Sequence, residues 1–188
     1  MKQLVLVIAL LIAASMSFAQ VQGDFDFTAN VATSGGPLTV AVSQGALWDA
    51  LRPGISYQCI ADNPVNTTNI TPIDVNNQEA YAPGIVDITG SAGAQIVVTF
   101  ILPTKLYPSA GIGSVTMTYD NQSASVVDLQ STGLPVVFFN PLTPQTVTID
   151  AAGTAEIFIG GNPSVSADAT DGDAFMGYGI MTAEYVGM

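Results

Sequence analysis

The sequence predicts an all-β protein, a sandwich of antiparallel sheets, and three observations carry that expectation. Short runs rich in Val, Ile, Thr, Phe and Tyr recur between Gly, Pro, Asn and Asp turns at about the spacing of a sandwich. Gly, Thr, Val and Asn are plentiful while Lys, Glu and Arg are scarce, a balance that disfavours helices. No stretch carries the 3.6-residue apolar period of an ordinary amphipathic helix.

Residues 1–19 are set aside first. Lys2 gives a positive start, Leu4 to Ala14 is unbroken apolar chain, and Ser17-Phe18-Ala19 supplies small residues for cleavage. This pattern predicts a secretory signal peptide cut before Gln20, the apolar run being too short to span a bilayer comfortably. Later apolar stretches are broken by charges, Pro or Gly, so a secreted, extracellular or cell-surface protein with no membrane span in its mature form is expected. Residues 20–37 form an extended arm or first strand ending in a Gly hinge, and residues 38–188 form the single sandwich domain.

Strands are predicted near 24–32, 38–43, 55–61, 84–89, 94–102, 114–119, 124–129, 135–139, 145–150, 154–159 and 174–186. The first, in "GDFDFTANVAT", places Phe25, Phe27, Ala29 and Val31 on one face, because side chains alternate along a strand. "GALWDALRPG" at 45–54 allows one helical turn before Pro53-Gly54 stops it. Residues 62–84 lack a regular period and read as the main loop, and "GGNP" at 160–163 as a turn. "AQIVVTFILP" and "LPVVFFNP" are apolar on both faces and read as central strands, whereas "SVTMTYD" and "TVTID" alternate and should be half exposed.

Composition excludes whole classes of function. Once the leader is gone, Arg52 and Lys105 are the only cationic side chains against 15 carboxylates, so the chain repels phosphate backbones and nucleic acid is not a partner. Only 10% of residues are charged, which suits a surface packed against copies of itself. The chain has no histidine, which removes Ser–His–Asp, Cys–His and His-zinc chemistry, and no catalytic or cofactor-binding residue is assigned. Cys59 is single, so no internal disulfide forms, and its apolar neighbours predict a buried, inert thiol. Asp168, Asp171 and Asp173 in "DATDGDAF" are weak calcium candidates, because carboxylates suit a hard cation but the closing Glu of a calcium loop is missing. Asn66, Asn69 and Asn121 match the glycosylation acceptor pattern.

"ITGSAGAQIVVTFILP", "GTAEIFIGGNPSV" and "GDAFMGYGIMTAEYV" resemble a family of uncharacterised secreted bacterial β-sandwich domains related to spore coat protein U and chaperone–usher type pilins. The positions that carry the resemblance are Gly90, Gly93, Leu102, Pro103, Gly160, Gly161, Gly177 and Tyr185, with Trp48-Asp49 in "LWDALRPG" standing where the family more often has Phe-Gly. The resemblance implies an immunoglobulin-like, pilin-like sandwich and a structural subunit of an extracellular fibre, pilus or coat. Copies would join by donor-strand complementation through Phe25, Phe27, Ala29 and Val31, with an assembly chaperone or outer-membrane usher as further partners. Pairing of residues 24–32 within their own chain stays equally open. A second expectation is a secreted glycan-binding or adhesion module using Trp48, Tyr81 or Tyr107 as stacking platforms, although core packing is the ordinary role of such rings. A carboxylate-only hydrolase would need two acids facing each other across a cleft.

Overall fold

The alternating segments become paired strands in a computed structural model, which describes residues 21–32, 37–62, 69–73, 79–128, 134–170 and 174–186. In chain order the strands are β1 (Val21–Ala32), β2 (Thr39–Gln44), β3 (Ala46–Leu51), β4 (Gln58–Cys59), β5 (Ile70–Thr71) and β6 (Ala80–Ala82). They continue with β7 (Gly84–Thr89), β8 (Gln95–Ile101), β9 (Lys105–Pro108), β10 (Val115–Thr118) and β11 (Ala124–Asp128). The last five are β12 (Leu134–Phe139), β13 (Gln145–Thr148), β14 (Thr154–Ile159), β15 (Asn162–Val165) and β16 (Ala174–Tyr185). Among the described residues there is no helix, and none long and apolar enough to cross a membrane.

Two sheets form the sandwich. The larger runs β15-β10-β9-β16-β1-β3-β6, with β8 also pairing β16 and carrying β13 at its side. The smaller runs β12-β11-β14-β7-β2, and a short β4-β5 ladder lies apart. Their inner faces share one core: Trp48, Val98 and Met181 of the large sheet pack with Val86, Ile157 and Ile159 of the small one. Phe100 on β8 reaches Phe139 on β12 with ring centroids 6.4 Å apart, a direct bridge between the layers. Burying such side chains is the main driving force in a chain without disulfides.

Most of the expected strands form within a residue or two of their predicted bounds, and five local expectations are corrected. Residues 46–51 form β3 rather than a helical turn, because Ala46, Trp48 and Leu51 are all claimed by the core. A bulge accommodates the odd spacing: Val21 pairs Leu51 and Gly23 pairs Trp48, and Ala50 takes a φ of 56° to absorb the extra residue. The "GGNP" segment opens β15, which adds to β10 from Asn162 onward. "LPVVFFNP" is the edge strand β12, not a central one, and it leaves Val137 and Phe138 exposed. β8 is paired on both sides but covered on one face only, with Gln95, Thr99 and Ile101 turned outward. The 62–84 loop contains β5 and β6, the latter completing the edge beside β3. β10 and β13 do alternate between buried and more exposed residues.

Candidate functional site: the seat of the N-terminal strand

β1 enters the large sheet beside the last strand of the chain. It runs parallel to β16 from Gln22↔Ala174 to Ala32↔Glu184, and its first residues, Val21 to Phe25, run antiparallel to β3. Parallel neighbours in one sheet need a long connection, and here it is the entire intervening domain. The first of the described strands is thus held against the last.

Phe25 is the anchor. It is 0% exposed, and its ring stacks on Trp48 at 5.2 Å and 27°. Trp48 in turn stacks on Tyr81 at 5.5 Å and 23°, so three rings from β1, β3 and β6 form a ladder across the sheet. The indole N–H of Trp48 donates to Cys59 Sγ at 3.3 Å. Burial pushes the Cys59 thiol up to about 12, and the thiol is buried as expected. The main-chain N–H of Cys59 donates to Asn162 Oδ1 at 2.7 Å, and Asn162 Nδ2 donates to Asp120 Oδ2 at 2.8 Å, tying the base of the ladder to the β10–β11 turn. The Tyr81 hydroxyl lies over Gly160, where an added Cβ would come within 1.7 Å of it. That contact gives Gly160 a steric reason in the fold.

The far end of the seat is pinned by Tyr185. Its hydroxyl accepts from Ser91 N–H at 2.9 Å and donates toward the Pro37 carbonyl at 3.3 Å. Gly90 sits beneath it, where a Cβ would meet the Tyr185 oxygen at 2.7 Å. Pro37, at the end of the expected hinge, is therefore fastened to the C-terminal strand, while residues 33–36 lie outside the described residues. Arg52, just after β3, pairs with Glu79 at 2.6 Å and holds the strand's other end.

Of the arm residues singled out from the sequence, Phe25 is seated in the core. Phe27, Ala29 and Val31 have backbone partners Gly179, Met181 and Ala183, and their side chains lie outside the described residues. Trp48 and Tyr81 are buried, whereas Tyr107 is 64% exposed. Asp168 is exposed, Asp171 and Asp173 lie outside the described residues, and no metal-holding cluster of His, Cys, Asp or Glu occurs among those described. Asn69 is buried and Asn121 exposed, while Asn66 lies outside the described residues. An open cleft lined by Tyr57, Pro72, Thr118, Asp120 and Asn162, among others, carries one carboxylate, Asp120. Asp87 and Glu156 instead stand side by side in register on β7 and β14, in contact with each other rather than across a cleft.

The sequence did not disclose the strand at Trp48 or the parallel β1–β16 ladder. Period-two alternation did not mark the first, since Asp49 is the one polar residue from Ala46 to Leu51. Compared with known proteins, the chain matches no family model and no curated protein.

Proposed function

We propose that this protein is a secreted structural subunit of an extracellular bacterial fibre, pilus or coat, and that copies join by exchanging β1. The observation that carries the reading is the β1 seat itself. A terminal strand with eleven register pairs to β16 contributes a fully buried aromatic anchor, and it is joined to the body through a single Gly-containing segment. Ladder bonds and the pocket over Trp48 are indifferent to which copy supplies the strand, so an arm from a neighbour satisfies the same groups. From Asp26 to Ala32 the ladder partner of β1 is β16 alone, which makes this stretch separable from the rest of the sheet. The sequence resemblance to the spore coat and pilin-type family supports the same reading.

Deletion of residues 20–34 tests it. Electron microscopy of the secreted protein should show filaments that the deletion abolishes; monomers throughout, with stability unchanged by the deletion, overturn the reading. The glycan-binding alternative keeps one supporting observation, the exposed ring of Tyr107, and a glycan array without binding removes it.

A further inference from the structure

The outer face of the large sheet carries an apolar stripe. Along β16, Met176, Tyr178 and Ile180 point outward at 42, 72 and 38% exposure, while Phe175 before them and Met181 after them are buried. Tyr107 on β9, the register partner of Met176, is 64% exposed, and Ile101 on β8, the register partner of Ile180, is 71% exposed. Charge sits on both flanks and nowhere within the stripe. Asp26 on β1, the register partner of Tyr178, is exposed on one side. On the other, Lys105 on β9 lies two residues before Tyr107, on the same face and exposed. Among the described residues no carboxylate pairs with Lys105.

We infer that this stripe is a self-complementary contact, at which two copies of the chain pack face to face about a two-fold axis parallel to β16. Area and charge both point to a second copy. The five side chains present on the order of 600 Å², as large as any patch a monomer ordinarily leaves open. Doubled by symmetry, this reaches roughly 1,200 Å², the lower bound of stable interfaces. A two-fold along β16 turns β9 of one copy over β1 of the other, so Lys105 meets Asp26 at two equivalent places. An in-plane axis across the strands would instead set Lys105 over Lys105 and Asp26 over Asp26. Sheets so stacked pack about 10 Å apart with interdigitating side chains. Ile101 and Ile180, paired at one end of the stripe, and Met176 near the other offer a sugar no hydrogen bond, which favours a protein surface over a glycan. The contact is independent of strand exchange, because the face is the same whichever copy supplies β1.

The test is zero-length carbodiimide cross-linking of the mature protein, with ordinary and nitrogen-15-labelled copies mixed. A Lys105–Asp26 cross-linked peptide containing one chain of each isotope is expected in the parent and should be lost in Tyr178→Asp, which leaves β1 exchange intact, along with at least a tenfold weaker self-association in Tyr178→Asp by sedimentation velocity. Lys105→Asp and Asp26→Lys should each weaken pairing, and the double exchange should restore it. Circular dichroism checks that each variant folds. Cross-links confined to single chains, Tyr178→Asp sedimenting like the parent, or a polysaccharide retained by the parent and lost in Tyr178→Asp without change in sedimentation each overturn the inference. Filaments that persist in Tyr178→Asp while pairing is lost separate this contact from the fibre reading.

Discussion

Replacing Phe25 with Ala removes the anchor of the N-terminal strand and nothing exposed. The side chain is 0% accessible and lies 5.2 Å from Trp48, so its loss combines the transfer term of a buried ring with an unfilled space against the indole. Such truncations cost about 3–5 kcal/mol, of which the aromatic pair supplies about 1 kcal/mol. For a domain of this size each kcal/mol lowers Tm by about 2–4 °C, giving a fall of roughly 10 °C. The chain has one tryptophan, Trp48, and it forms the other half of the contact. Its fluorescence therefore reports the seat directly: emission should shift to the red in Phe25→Ala as water reaches the indole. Asp26→Asn, on the neighbouring exposed position, should stay within about 0.5 kcal/mol of the parent. A Phe25→Ala protein that melts within about 2 °C of the parent with unchanged emission would show that β1 does not rest on Trp48.

Three further outcomes follow from particular positions. Ala50 holds a φ of 56° at the β3 bulge, a left-handed conformation that costs an L side chain, so Ala50→Gly should raise stability by about 1 kcal/mol in a denaturant titration. Cys59, raised by burial, should stay unlabelled by thiol reagents at pH 8 until the protein unfolds; its contribution is fully present below the ordinary thiol value of 9.0 and is lost as pH climbs toward about 12. Burial, and then the neighbouring Asp87 carboxylate, raise Glu156, so the folded state holds that proton more tightly than the unfolded one. The stability this provides is present at acidic pH and is lost as pH rises through the raised value. Glu156→Gln should accordingly stabilise the protein at neutral pH by about 0.5 kcal/mol, after allowance for solvent screening, with no gain at acidic pH.

How much of this was legible depended on whether local pattern or long-range pairing decided each element. β7, β10, β13 and β14 were readable because alternation and turn residues bound them, and tertiary structure only confirms what the chain prefers. β3 was obscured by "GALWDALRPG", whose Leu, Ala and Trp suit a helix as readily as a strand; the aromatic ladder to Phe25 and Tyr81 decides it. The apolar runs of β8 and β12 were read as doubly covered, yet Ile101, Val137 and Phe138 face outward, since a run without alternation does not say whether its second face is covered by this chain. The arm was recognisable from Phe25 onward, but its parallel partner was not: β1 and β16 are separated by the whole domain, and nothing local encodes that meeting. The outer stripe of β16 was not read from the sequence: Met176, Tyr178 and Ile180 alternate with Gly177 and Gly179, and only the sheet shows which set faces outward.

Strand exchange is tested most directly by trapping β1 in a neighbour's seat. Thr28 and Ile180 are register partners with both side chains partly or fully exposed, and adjacent strands bring paired residues within disulfide reach. Secreted Thr28→Cys protein is mixed with Ile180→Cys protein, allowed to assemble and oxidised, so that only a strand crossing between copies forms the bond. Exchange of β1 predicts a covalent dimer made of one copy of each variant, released by reductant. If only monomer appears, and the chain carrying both substitutions closes quantitatively on itself, β1 belongs to its own sheet and copies do not assemble through it.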